Sequence, residues 1–346
     1  MGVANAYELT RDELAELLTG EPKYRVDQVW TALWEQDRFP EEITTISKPL
    51  RAKLAEALPT TLEVANDVST DEGTTRKWVY RLHDGATIET VLMNYEDRVT
   101  VCISTQAGCA MACSFCATGQ AGFNRQLSIG EVIEQVVRAG REAAPRRVSN
   151  IVFMGMGEPL ANYDVTVGTI RALHEQRGLS ARNLTVSTVG IAPAIERLAK
   201  EGLPLTLAVS LHVANDEERD QLVPINKRYN LERLYQACDT WISETGRRLS
   251  FEWALISGVN DTDKAMHELA EYARPLNAHV NLIPLHPTPG YLVVGSTAQR
   301  VREFRDGLEE LGVNATVRRT RGRTIDAACG QLANVTNGKR RSIPVR

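Results

Sequence analysis

The chain has 346 residues, 43% of them hydrophobic and 24% charged, and a formal net charge of −4. Such a composition supports a substantial globular core, and the length suggests about two domains. It excludes polyanion binding through bulk positive charge; no apolar run approaches the ~18–20 residues of a membrane span, and MGVANAYELTRDEL has neither the basic nor the apolar stretch of a secretory signal.

In chain order, ELTRDELAELLTG sets Leu9, Leu14, Leu17 and Leu18 on one helical face and stops at Gly20. YRVDQVWTALWEQ continues with Val26, Val29, Trp30, Leu33 and Trp34 at helical spacing, the two tryptophans reading as core. Pro49 opens a third helix that ends near Pro59. TRKWVYRL and TIETVLMNY then read as strands joined at an Asp84-Gly85 turn. From about residue 98, seven strand-like runs (RVTVCIS, SNIVFMG, NLTVST, LTLAVSLH, LSFEWALI, HVNLIPL, NATVRR) alternate with helical ones. That alternation predicts parallel βαβ units forming a partial barrel, whose chemistry collects at the C-terminal strand ends.

Charge is uneven. Residues 1–70 hold 7 Lys and Arg against 13 Asp and Glu; residues 315–346 hold 8 basic residues against Asp326 alone. The basic end suits a polyanion or a solvated tail, and both readings stand. Six cysteines, three of them clustered, predict a reducing cytoplasm rather than a disulfide framework.

Those three, Cys109, Cys113 and Cys116, stand in GCAMACSFCATG with spacing C-x3-C-x2-C. Three thiolates are one fewer than a closed tetrahedral zinc site requires. A 4Fe-4S cluster held by three thiolates leaves one iron open to a chelating small molecule. A structural zinc site with a distant fourth ligand is the competing reading. The spacing, with Phe115 just before the last cysteine, resembles the signature of radical S-adenosylmethionine (SAM) enzymes.

CISTQAGCAMACSFC, FMGMGEPLAN, LTVSTVGI, VSLHVAND, VNLIPLHPTPG and RRTRGRTIDAACGQL follow one another in the order found in the radical SAM RNA adenine C2-methyltransferases, the RlmN family, and the resemblance covers nearly the whole chain. It implies an α/β fold: a partial (β/α)6 radical SAM barrel with a small N-terminal helical domain and a β-hairpin extension. The expected divisions are 1–70, a helical accessory domain for RNA; 71–97, a hairpin linker carrying Glu89; 95–324, the radical SAM core; and 325–346, a C-terminal segment with Cys329. The implied activity is methylation of C2 of one adenine of 23S rRNA and of the adenine 3′ of the anticodon in tRNAs, with a 4Fe-4S cluster and SAM as cofactors. A monomer and an electron donor such as flavodoxin or ferredoxin are expected, with no membrane involvement.

The resemblance also distributes roles. Cys109, Cys113 and Cys116 ligate the cluster. Gly157 and Glu158 meet the SAM amino end, and Ser187, Ser210, Leu211 and His212 contact SAM at strand ends. His286 occupies a SAM-contact position where the family pattern has Asn; a neutral imidazole can still donate one hydrogen bond and accept one. Cys329 takes a methyl group from one SAM, a second SAM activates that S-methyl group, and the resulting carbon adds to C2, which is too electron-poor for ordinary polar methylation. Glu89 accepts the C2 proton, and Cys102 releases the product by attacking the thioether sulfur, leaving a transient Cys102–Cys329 disulfide. Cys238 reads as an inert core residue. Two rival functions remain open from sequence: a C8-methyltransferase of the Cfr type, and a non-catalytic RNA-binding protein with a structural metal.

Overall fold

The computed structural model describes residues 5–285, 294–318, 321–322, 325–327 and 331–332. Three helices come first: α1 (Arg11–Leu17), α2 (Tyr24–Trp34) and α3 (Lys48–Ala57). Thr10 and Glu13 form a reciprocal capping box at the start of α1, and Ser47 caps α3, with a proline in its first turn. Their apolar faces gather Leu14, Leu18, Val29, Trp30, Trp34 and Leu54 into one buried cluster, with Trp30 and Trp34 ring centroids 5.7 Å apart.

Next come β1 (Glu63–Thr70), β2 (Thr75–Arg81), β3 (Thr87–Asn94) and β4 (Val99–Cys102), then a short two-stranded ribbon of β5 (Gln106–Gly108) and β6 (Phe123–Gln126) flanking α4 (Ala117–Ala121). The turn at Asp84-Gly85 closes as expected: Leu82 N–H donates to Ala86 C=O at 2.8 Å, with Gly85 at φ 82°. Residues 63–70 depart from the helical reading of 1–70. They are an edge strand paired antiparallel to β2, and the hairpin becomes a three-stranded sheet. EVANDVST alternates without a large apolar residue and lies mostly exposed, which hides a strand from a hydrophobicity pattern.

The remainder alternates: α5 (Ile129–Ala143), β7 (Asn150–Phe153), α6 (Tyr163–Glu175), β8 (Leu184–Thr188), α7 (Ala192–Ala199), β9 (Thr206–Ser210), α8 (Asp216–Leu222), α9 (Leu231–Thr245), β10 (Ser250–Leu255), α10 (Asp263–Ala273), β11 (His279–Pro284), α11 (Ala298–Glu310) and β12 (Ala315–Val317). The ten-stranded sheet runs β1-β2-β3-β4-β7-β8-β9-β10-β11-β12, antiparallel up to β4 and parallel beyond. Six strand–helix units from β4 to α11, plus β12, give the expected partial barrel. β4, β9 and β10 are mostly buried, while β7 and β8 alternate buried with half-buried residues.

The helical segment docks on α5, whose Ile133 and Val137 complete its core. The Glu134 carboxylate sits at this seam, accepting from Asn5 Nδ2 at 3.0 Å, Thr61 N at 2.8 Å and Thr61 Oγ1 at 2.7 Å, with Arg138 paired at 2.8 Å. Gly130 and Gly140 permit the approach, since a Cβ at either would meet Asn5 or the Asp37 carboxylate.

Candidate active site

A cavity open to solvent lies at the C-terminal strand ends. Cys109, Cys113 and Cys116 line one wall. The loop that carries them is shaped by backbone: Cys109 N–H donates to Gly122 C=O at 2.8 Å, Gln120 Nε2 to Cys113 C=O at 3.0 Å, and Ser114 N–H to Leu222 C=O at 3.0 Å. Gly108, at φ 79°, packs so closely that a Cβ would fall 2.0 Å from Gly122 O. Phe115 meets the His212 ring edge-on at 4.5 Å between centroids.

Desolvation pushes the Cys109 thiol up to about 12 and Cys113 higher still; the neighbouring cysteines raise both further, so the sulfurs sense one another. No three His, Cys, Asp or Glu side chains among the described residues form a ligand set for a single metal ion. A 4Fe-4S cluster asks for something different, one thiolate on each of three irons. Three sheltered thiols on one cavity wall fit that group and supply the negative charge its cationic irons require.

Gly157 and Glu158 follow β7, and both line the cavity. Gly157 has φ 104°, and a Cβ there would meet the Gln106 side chain at 2.6 Å. Gln106 Oε1 in turn accepts from Glu158 N at 2.7 Å. The buried Glu158 carboxylate accepts from Leu160 N at 3.0 Å and Val189 N at 2.9 Å, joining the ends of β7 and β8. Desolvation wins over these bonds and pushes its carboxyl up to about 7.

Ser187 and Ser210 reach the same cavity from β8 and β9. His212, at φ 58°, is buried beside them; its Nδ1 accepts from Ala254 N at 3.0 Å, which leaves the ring proton on Nε2. Burial, with the Arg219 charge adding to it, pushes the imidazole down to about 3, so it stays neutral. The structural and cavity-lining readings of this histidine thus hold together. Leu211 differs: it lies outside the cavity lining, its side chain joins the main core, and its N–H donates to Glu252 C=O at 3.1 Å.

Cys102 and Glu89 lie outside the cavity lining. Cys102 is buried in an adjoining apolar cluster with Val91, Met93, Met156 and Leu332, against which Ala327 also packs. Cys329 and His286 lie outside the described residues. Ala327 and Leu332, which lie on either side of Cys329 in the sequence, both sit with Cys102. Glu89 is buried and paired with Lys77 at 3.2 Å, and Lys77 Nζ donates to Asp326 C=O at 3.1 Å. Thr118, beside the cysteine loop, donates to Leu332 C=O at 2.5 Å.

Sequence reasoning missed three charged residues. Glu252 lines the cavity, its carboxyl raised by burial while it accepts from Asn281 Nδ2 at 2.7 Å and Ser250 Oγ at 3.1 Å. Arg318 lines the cavity beyond β12, and Arg219 stands behind the wall. A glutamate within the apolar run LSFEWALI was one signal; Arg318 reads from sequence only as part of the basic end, and Arg219 carries no signal.

A family model, the radical SAM superfamily, matches residues 103–272. A probable dual-specificity RNA methyltransferase RlmN of Salinispora tropica is 50% identical over 91% of this chain and 88% of its own length. Dual-specificity RNA methyltransferase RlmN 1 of Myxococcus xanthus is 46% identical over 99% and 98%. A crystal structure of a radical SAM methyltransferase from Sphaerobacter thermophilus superposes with a TM-score of 0.91 at 48% identity, covering 95% of this chain and 99% of that one. Identity of that order over nearly the whole chain makes it a radical SAM enzyme of the RlmN family of dual-specificity RNA methyltransferases.

Proposed function

We propose that this enzyme methylates C2 of an adenine in 23S rRNA and in tRNA by way of an S-methylated Cys329. Cys109, Cys113 and Cys116 hold the 4Fe-4S cluster. Gly157, Glu158, Ser187, Ser210, His212 and the backbone of Leu211 hold SAM, with His286 in the place of the family's Asn. Together the bound cofactors supply methyl groups and one-electron cleavage of a sulfonium. Glu158 meets the SAM ammonium and gives up its proton to do so. His212, fixed as a neutral Nε2–H tautomer, offers one donor at every working pH.

Cys329 carries the methyl carbon to the base. Glu89 takes the C2 proton, and Lys77, already paired with it, balances the carboxylate before that transfer. The Cys102 thiolate then attacks the Cys329 sulfur, the S–C bond to the base breaks, and a disulfide remains for an outside reductant. The observation that supports this reading is the shared apolar cluster of Cys102, Ala327 and Leu332, the last two lying on either side of Cys329 in the sequence. No helix among the described residues is long and apolar enough to cross a membrane. The enzyme acts as a monomer with a flavodoxin- or ferredoxin-type electron donor.

The test is anaerobic turnover on 23S rRNA fragments and tRNA, read by mass spectrometry. Wild type should yield 2-methyladenosine; Cys102→Ala should trap a protein–RNA adduct; Cys329→Ala should give neither product nor adduct. An 8-methyl product, or product at the normal rate from Cys329→Ala, would sink the reading.

A further inference from the structure

Arg219 on α8 is fully buried, and every hydrogen-bond acceptor the described residues give it is neutral. Its Nε donates to Leu211 C=O at 3.1 Å, Nη1 to Asn226 Oδ1 at 2.9 Å, and Nη2 to Val189 C=O at 2.9 Å and Ser210 C=O at 3.2 Å. No carboxylate among the described residues pairs with it. The acids Asp216 and Asp220 are reached only through Asn226, whose Nδ2 donates to them at 2.9 Å and 2.7 Å. A guanidinium keeps its charge when buried, and a buried charge without a counter-ion is costly. Such an arrangement is expected where a negative group sits within reach.

The cysteine loop is that neighbour. Three residues on from Arg219, α8 ends on Leu222, whose carbonyl accepts from Ser114 N at 3.0 Å. Leu222 and Val223 share an apolar cluster with Cys113 and Phe115. Val189 and Ser210, whose carbonyls the guanidinium grips, line the cavity.

We infer that Arg219 is a positioning residue that acts through its charge as well as its contacts. It fixes the ends of β8 and β9 around the cavity and, as an unpaired buried cation, raises the reduction potential of the cluster held by Cys109, Cys113 and Cys116. The inference rests on the cluster reading above. A cluster on three thiolates carries net negative charge and gains one more on reduction. That step adds one electron and neither makes nor breaks a bond, so a fixed positive charge favours its product. An iron centre that must be reduced before it can act gains directly from such a charge.

The experiment compares wild type, Arg219→Lys and Arg219→Met after anaerobic reconstitution, with iron and sulfide counted per chain. Midpoint potentials are read by EPR during titration with dithionite. Arg219→Met should titrate at a more negative potential than wild type, and Arg219→Lys should stay near wild type. A fully loaded Met variant that titrates with wild type overturns the inference. So does an equal shift in both variants, which would assign the effect to the lost carbonyl contacts. Should Arg219→Met fail to fold, Asp220→Asn removes a half-buried negative charge beyond Asn226 without touching the guanidinium's carbonyl bonds; its potential should rise, and an unchanged value overturns the inference. Wild type that binds no iron overturns the cluster reading instead.

Discussion

Burial gives Glu158 a proton affinity unlike that of an ordinary carboxylate, and the sign of the consequence is fixed. With a folded value near 7 against an ordinary 4.5, the native state holds the proton more tightly than the unfolded chain. The stabilisation is complete below about 4.5 and is lost as pH rises through 7, on the order of 3 kcal/mol in all. Thermal melts of the cofactor-free protein should therefore fall over that window, and Glu158→Gln should flatten the slope. SAM binding should strengthen with pH over the same range, because the ammonium selects the ionised form. Glu158→Gln should weaken it by about 10–100-fold, or ~1.4–2.7 kcal/mol, in anaerobic equilibrium dialysis. Lys77 is the second residue with a definite expectation. Lys77→Met removes one partner of a buried ion pair and should cost about 3–5 kcal/mol in denaturant unfolding. Adding Glu89→Gln should recover most of it, and a double variant no more stable than the single would refute the pairing.

Among the elements, the cysteine loop is held by shape rather than by burial alone. Gly108→Ala sets a Cβ against a carbonyl at a left-handed φ, so the β5–β6 ribbon must part. Iron bound per chain should drop to less than half after reconstitution. The equivalent change at Gly178, which has positive φ but open space, should leave iron content unchanged and cost only about 1 kcal/mol. Elements of this kind divide what sequence can reveal. The seven barrel strands and helices α5, α6, α7, α9, α10 and α11 were legible, the strands as apolar runs bounded by turn residues and the helices by their spaced apolar positions; α8, DEERDQL, was not, because it holds a single apolar residue. So were Cys109, Cys113 and Cys116, whose spacing is the chemistry. β1 was not, because an exposed edge strand has no apolar face to declare it. The ribbon strand Gln106–Gly108 was too short to carry a pattern. Glu252, Arg219 and Lys77 were illegible for another reason: a charged letter reads as solvated, and only the folded chain shows what surrounds it.

For the molecule as a whole, the helical segment and the barrel share one seam along α5. Glu134 accepts three hydrogen bonds from Asn5 and Thr61 there, and ion pairs from Arg141 to Glu42 and Arg177 to Asp37 flank it. Glu134→Ala leaves several buried donors unmatched, at about 1–3 kcal/mol each. The variant should lose more than about 3 kcal/mol while urea unfolding stays a single transition; a separate early transition would show that the two parts melt independently. The sheet carries a second consequence. β3 occupies the outer edge of β4 in antiparallel pairing, so β12 cannot bond there, and among the described residues the sheet does not close into a ring. A closed ring admits guests only from its end and must be small-mouthed. A wall with a slit lets one nucleotide of a very large folded polymer slip in sideways while the bulk of that polymer rests outside.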